Sequence, residues 1–115
     1  MSDSVNKRIV DALAFTGYPV YANTFTSDEQ AYFVFLIDVL PDMFANDFAQ
    51  YGINDISLHF YCPVTQNTVK LRKQIKAALQ SAGFTYPTEL DVSDEHMQHI
   101  VFEFEVEEYL DAEII

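Results

Sequence analysis

The chain has 115 residues, 50% of them hydrophobic and 15% aromatic, and 18 acidic against 6 basic side chains give it a formal net charge of −12. This length fits one domain, and the apolar and aromatic content is too high for a disordered acidic tail. The negative charge repels phosphate groups, which argues against nucleic acid and anionic membranes as partners. Cys62 has no second cysteine with which to form a disulfide, and the N-terminal sequence lacks a signal-peptide pattern. The longest apolar run, Tyr32 to Ile37, is too short to cross a bilayer. We therefore expect a soluble protein made in the cytoplasm.

The first predicted element is a helix from about Asp3 to Phe15. Ser2 or Ser4 is a suitable N-cap, and Gly17 is a typical residue just beyond a helix end. The residues that recur with the spacing of one helix face are Val5, Ile9, Ala12, Leu13 and Thr16. The chain then leaves in an extended conformation through residues 18–21, where a strand is expected.

The next strand, Ala31 to Ile37, is β-branched or aromatic on both faces, which favours a central position in a sheet. Pro41 and Gly52 indicate a long loop between Asp38 and Asn54. Four large apolar residues stand in this segment: Met43, Phe44, Phe48 and Tyr51. A loop with so much apolar surface either folds back onto its own core or contacts another molecule.

A strand with strict alternation follows the loop. Ile56, Leu58, Phe60 and Cys62 share one face, and Ser57, His59 and Tyr61 share the other. Pro63 ends this strand, and an amphipathic helix is predicted from Val64 to Ala82, with Thr65 as its candidate cap and Gly83 at its end. The apolar stripe of this helix is Thr68, Leu71, Ile75, Ala78, Leu79 and Ala82.

Two further extended segments complete the chain. Phe84 to Val92 is a weaker strand interrupted by Pro87, and Met97 to Tyr109 is the last strand. Its inward residues are Ile100, Phe102, Phe104 and Val106, and its outward residues are His99, Val101, Glu103, Glu105 and Glu107. Residues 110–115 are expected to be a flexible acidic end.

The order helix, strand, strand, loop, strand, helix, strand predicts a single α+β domain over residues 1–115. We expect a mostly antiparallel sheet of about four strands, with two helices packed on one face. The sequence contains no internal repeat or linker that would divide it.

Residues that carry chemistry are few. Three glycines leave no Gly-rich phosphate cradle. Cys62 lies on the inward side of its strand and His59 on the outward side, so they cannot form a local nucleophile and base pair. His99, Glu103 and Glu105 share a face, but alternate residues on a strand are about 7 Å apart, too far for tight chelation without ligands from another element. We therefore expect no enzyme activity, metal or cofactor.

The charges are segregated along the chain. All six basic residues lie in the two predicted helices, and no Lys or Arg occurs from Ala77 to Ile115. One interpretation is a solvated face that keeps the protein soluble, and the other is assembly, in which the basic helix of one copy meets the acidic strand of the next. The candidate interface residues are Tyr32, Met43, Phe44, Phe48, Tyr51, Tyr61, Lys70, Lys73, Glu103 and Glu105.

Taken in order, several segments form a pattern that resembles the small tail-terminator or tail-completion proteins of long-tailed bacteriophages. They are the helix that ends before Tyr18–Tyr21, the aromatic strand Ala31–Phe35, the segment from Phe44–Asp47 through Tyr51 into Ile56–Tyr61, the helix end Leu79–Tyr86, and the strand Asp94–Glu105. Together they span most of the chain.

The resemblance implies a non-enzymatic structural protein of the virion that forms a ring, usually a hexamer, at the head-proximal end of the tail tube. Such a ring ends tube polymerisation and docks to the head connector or head-closure protein. Its implied partners are copies of itself, the tail tube protein and that connector, and DNA passes through without specific binding. The strong acidity and the acidic end are departures about which the family pattern says nothing.

Other functions stay open from the sequence. A related neck component, such as a head-closure or connector protein, shares the same virion context. A small non-viral ligand-binding or regulatory domain would remain a monomer or dimer. An enzyme whose site is assembled across subunits is the least supported, because the pattern places no nucleophile, base or ligand set.

Overall fold

The computed structural model describes residues 4–24, 29–41 and 51–109. Within these residues the helices are α1 (Val5–Leu13), a 3-10 turn that continues it (Ala14–Thr16) and α2 (Val69–Ser81), and the strands are β1 (Val20–Ala22), β2 (Tyr32–Pro41), β3 (Tyr51–Pro63), β4 (Thr88–Asp91) and β5 (Met97–Tyr109). The α+β class is confirmed, and β5 has the bounds predicted for the last strand.

The five described strands form one sheet in the order β1-β2-β3-β5-β4. The pairs β2–β3, β3–β5 and β4–β5 are antiparallel, but β1 runs parallel to β2, with Val20 opposite Phe33. The sheet is therefore mixed and has five strands instead of about four. Alternation along a strand indicates which residues share a face but not the direction of the neighbouring strand, so the sequence could not reveal the parallel pair.

The predicted loop from Asp38 to Asn54 is too long at both ends. β2 continues to Pro41 and β3 begins at Tyr51, with Pro41 opposite Gly52. Among the described residues, β1 pairs with β2 only at residues 33–35. The outer side of β2 at Pro41 has no described partner strand there, so the missing N–H donor of proline is compatible with a strand. Residues 42–50 lie outside the described part of the chain.

Helix α1 begins at Val5, two residues later than predicted, with Ser4 as its N-cap, and a 3-10 turn continues it past the predicted end at Phe15 to Thr16. The side chain of Ser4 accepts a hydrogen bond from the Lys7 backbone N–H at 3.2 Å, which satisfies one of the free donors of the first turn. The 3-10 turn after α1 ends at Gly17, whose φ of 75° is the left-handed conformation that glycine adopts without strain.

Helix α2 begins later than predicted, at Val69 instead of Val64, and Thr65 is not its cap. The residues after Pro63 form a turn, closed by a 3.1 Å bond from the Gln66 N–H to the Pro63 carbonyl. The residue before the helix, the buried N-cap Thr68, donates its hydroxyl to Oε1 of Gln98 on β5 at 2.9 Å. This contact between distant segments fixes the start of the helix.

Both helices pack on one face of the sheet. Buried residues of α1 and α2 meet every second residue of the strands there, and the fully buried members include Ile9, Leu13, Phe33, Phe60, Ile75, Leu79 and Phe102. Each large side chain buried in this way contributes about 1.5–3 kcal/mol. This layer supplies the main hydrophobic core.

The sheet extends beyond the helices that cover it. Strands β3 and β5 have 13 residues each, which corresponds to about 43 Å at the usual rise of about 3.3 Å per residue. Helix α2 also has 13 residues, but at about 1.5 Å per residue it covers only about 20 Å. The molecule is accordingly elongated, with extents of 52 × 23 × 23 Å.

Candidate interaction surface

The side of the sheet opposite α1 and α2, which we call the open face, has no helix packed on it among the described residues. Alternation from the core residues assigns the other half of each strand to this face. Its members with described side chains are Tyr21, Tyr32, Val34, Leu36, Asp38, Ile53, Asp55, Ser57, His59, Tyr61, Pro63, Thr88, Leu90, Met97, His99, Val101, Glu103, Glu105 and Glu107. None of these residues is Lys or Arg.

One end of the open face carries a continuous row of rings, Tyr21, Tyr32, Tyr61, His99 and His59, which we call the aromatic row. Sheet register builds it, because Tyr61 lies opposite Tyr32 on one side and opposite His99 on the other. The ring centroids of Tyr32 and Tyr61 are 4.9 Å apart and those of Tyr61 and His99 4.3 Å apart, both stacked. Tyr21 meets Tyr32 edge-on at 6.2 Å. Such ring pairs each contribute about 0.5–1.5 kcal/mol beyond their burial.

The two predicted interface tyrosines of the described chain differ in accessibility. Tyr32 is only 6% exposed, so it offers almost no accessible surface to a partner. Tyr61 is half-buried and lies at the middle of the row. Burial raises the pKa of the Tyr61 hydroxyl, and the nearby Tyr32 raises it further, so Tyr61 stays a neutral hydrogen-bonding group.

His59 and His99 form a direct pair, with 2.7 Å between Nδ1 of His59 and Nε2 of His99. One imidazole must donate and the other accept, so the contact requires at least one neutral ring. Burial lowers the pKa of His59, and a charge on His99 lowers it further. Burial also lowers the pKa of His99, although the carboxylates of Asp94 and Asp91 partly oppose this.

Alternation predicts an outward position for both histidines but gives no contact between them. They are 40 positions apart, and their contact depends on the register that places His99 opposite Tyr61. Outward alternation on two strands was the available signal, and the missing information was the strand pairing.

The other end of the open face is acidic. Asp38 lies directly opposite Asp55, and Asp55 directly opposite Glu105, across three neighbouring strands. We call these three residues the acidic row. All three are exposed, as is the adjacent Glu103. The predicted interface residues Glu103 and Glu105 therefore lie on the open face, at the end away from the aromatic row.

The basic residues belong to the opposite, helical layer. Most of them already have partners: Lys7 Nζ lies 2.8 Å from Asp11, and Arg72 and Lys76 each lie 3.0 Å from the Glu89 carboxylate. Nη2 of Arg8 donates to the Ala82 carbonyl at 2.8 Å, and its guanidinium lies 4.8 Å from the Phe84 ring centre.

Lys70 and Lys73 differ from these four. Both are exposed on the outer side of α2, and within the described residues neither forms an ion pair. The structure therefore places the two predicted interface lysines in one layer and the two predicted interface glutamates in the other.

The remaining predicted interface residues cannot be placed. Met43, Phe44 and Phe48 lie outside the described residues, as does the side chain of Tyr51, whose backbone begins β3.

Cys62 is buried on the helical side, where burial raises the pKa of its thiol. The described residues contain no group of three or more His, Cys, Asp or Glu side chains suited to a metal ion, and no helix among them is long and apolar enough to span a membrane.

Comparison with known proteins adds the fold and nothing on function. No protein-family model and no curated protein matches the chain. Among the solved structures that match, one has a TM-score of 0.63 at 12% sequence identity and covers 92% of this chain and 90% of its own. That protein has only a sequence identifier for a name. At such low identity the similarity supports the architecture alone.

Proposed function

We propose that the chain is a structural virion protein that forms a ring, hexameric as in the proteins it resembles, at the head-proximal end of a phage tail tube. There it ends tube polymerisation and offers the docking surface for the head connector. The observation that carries this proposal is the division of the molecule into two unlike layers, an open sheet face with aromatic and acidic ends and a helical face with the basic residues.

A closed ring of identical subunits needs two different surfaces on each subunit that fit each other. The open face and the helical face meet this requirement, because they point in opposite directions and carry opposite charge. An antiparallel sheet can face water on one side, but such a face is normally polar along its length. The aromatic row departs from this rule and suits a contact with protein.

The acidity fits passage of DNA through the ring. A lumen lined with carboxylates repels the phosphate backbone, so that a genome passes without binding. The proposed partners are therefore further copies of this chain, the tail tube protein and the connector or head-closure protein. The site of action is the virion tail, and assembly takes place in the host bacterial cytoplasm.

Negative-stain electron microscopy of the purified protein at high concentration tests the ring. Six-fold rings with a central hole are expected, and mixing them with tail tubes should place one ring at a tube end and stop further growth. Rings that bind an isolated connector but never a tube end would support a head-closure protein instead. A chain that stays monomeric at all concentrations and ignores tubes would contradict the proposal.

A further inference from the structure

We propose that the open face of one copy receives the outer side of α2 from a second copy, with Lys70 and Lys73 of the second copy over the acidic row of the first. This inference rests on the proposed function, because it names the subunit contact of the ring.

The apolar side chains of the open face differ in accessibility. Val34 is fully buried and Val101 nearly so, although both lie outside the helix-covered core. Leu90, opposite Val101 on the edge strand β4, is 58% exposed. Since Val34 and Val101 are already buried within the single chain, the apolar side chains that a partner can cover at this end of the face are Leu90 and the half-buried Tyr61.

The acidic row has an electrostatic cost in a single copy. Side chains directly opposite each other on neighbouring strands have Cβ atoms about 4.5–5.5 Å apart, and like charges at that distance destabilise the sheet. Asp38, Asp55 and Glu105 repeat this arrangement twice. Since the described open face contains no Lys or Arg, relief by a cation has to come from outside it.

The basic side chains without a partner among the described residues of their own chain identify the surface that matches the acidic row. Copies with a net charge of −12 repel each other overall, so a stable contact has to place positive groups of one copy on negative groups of the other. Lys7, Arg8, Arg72 and Lys76 are engaged within their own chain. Among the described residues this leaves Lys70 and Lys73, on a helix side where Val69 is 53% exposed.

The spacing of the two surfaces also agrees. Residues three apart on a helix are about 5–6 Å from each other, close to the separation between neighbouring members of the acidic row. Lysine stems cover apolar surface while their ammonium groups reach outward, so α2 can contact both parts of the open face. The two layers of one chain face opposite ways, so the contact requires a second copy and repeats head to tail.

A charge-exchange experiment tests this contact. The helix variant carries Lys70→Glu and Lys73→Glu, and the face variant carries Asp55→Lys and Glu105→Lys. Each variant alone should associate at least tenfold more weakly than the wild type in sedimentation velocity, because each loses the attraction on one side of the contact. An equimolar mixture should recover assembly, because every interface then joins opposite charges again.

Controls separate assembly from folding. Circular dichroism checks each variant, and the neutral pair Asp55→Asn with Glu105→Gln replaces the face variant if the lysines prevent folding. Lys7→Gln, on α1 and outside the proposed contact, should leave association unchanged.

The outcomes distinguish the contact from the ring. If the wild type forms rings and each variant alone forms them too, the proposed contact is overturned and the proposed function stands. If the wild type forms only dimers that never close into a ring, and the charge-exchange variants weaken and restore those dimers as expected, the contact is supported and the ring is overturned. A wild-type chain that never associates would overturn both.

Discussion

The two faces of the sheet are built from alternate residues of the same strands, yet they differ in nearly every property. On β3, Phe60 is fully buried against the helices, while its neighbour Tyr61 lies in the aromatic row of the open face. On β5, Phe102 is fully buried and Glu103 is exposed. The helix-covered face follows the demands of packing. The open face combines aromatic, imidazole and carboxylate groups, and among the described residues no helix packs on it.

The largest expected effect separates these faces directly. Phe60→Ala should lower the free energy of unfolding by about 3–5 kcal/mol, because it leaves a cavity in the core. The Phe60 ring stacks on Phe33 at 4.7 Å and on Tyr18 at 5.7 Å. Tyr61→Ala should cost only about 1–2 kcal/mol, from its lost ring contacts. Urea unfolding measures both, and equal losses would show that the open face is packed as tightly as the core.

A second pair of variants tests how the helical layer is held together. Gly83 has a φ of 99°, and an added Cβ would lie 2.6 Å from Nη2 of Arg8, the group that donates to Ala82. Gly83→Ala should therefore cost about 2–3 kcal/mol, from left-handed backbone strain and a displaced hydrogen bond. Gly17, with a φ of 75°, has open space around it, so Gly17→Ala should cost only the strain of about 1–2 kcal/mol.

Thermal unfolding of these two glycine variants gives the comparison. The excess loss at Gly83 measures the Arg8 contact, and it should disappear in an Arg8→Ala background. Equal losses at the two glycines would mean that Arg8 moves aside without cost.

The third comparison concerns ion pairs in the helical layer. Glu89 reaches from the edge strand β4 to Arg72 and Lys76, and these three side chains are 19–24% exposed. Glu89→Gln should cost about 1 kcal/mol, since partial burial limits screening of its charge by water and salt. Asp11→Asn is the matched control, because Lys7 and Asp11 are 59% and 57% exposed and such a surface pair contributes about 0.2–1 kcal/mol. Urea unfolding at low and high salt measures both variants, and losses no larger at Glu89 than at Asp11 would exclude a clamp between β4 and α2.

Much of the fold follows from periodicity, and the candidate surface only in part. Alternation correctly placed Cys62 inside and His59 outside, because the direction of a strand side chain depends only on its own position. Register is different, since it depends on two distant segments packing together, and the His59–His99 pair could not be predicted without it. The late start of α2 has the same origin, because Thr68 is held by Gln98 on a distant strand. The assignment of Tyr61, Lys70, Lys73, Glu103 and Glu105 to an interface stays a prediction.

The smallest expected effect is a pH dependence at the histidine pair. Because the pKa values of His59 and His99 are lowered in the folded chain, the unfolded chain binds protons first as the pH falls. Stability from this pair is therefore complete above the unfolded value of about 6.5 and declines below it. Asp91 and Asp94, which face His99, have pKa values lowered by hydrogen bonds from Ser93, and from His96 and Met97, so their own contribution is lost only in the more acidic range.

Urea unfolding at pH 7 and pH 5.5 isolates that contribution, because both carboxylates remain charged over this interval. The wild type should lose less than about 1 kcal/mol, since both rings are partly exposed and solvent screens their charges. His59→Gln should reduce this loss, because only one imidazole then remains in the contact. His96→Gln provides the control, since that exposed side chain lies 3.3 Å from Glu95 and takes no part in the contact between His59 and His99. If the His59 and His96 variants keep the same pH dependence as the wild type, the imidazole contact contributes nothing to stability, and the histidines matter only through the surface they present.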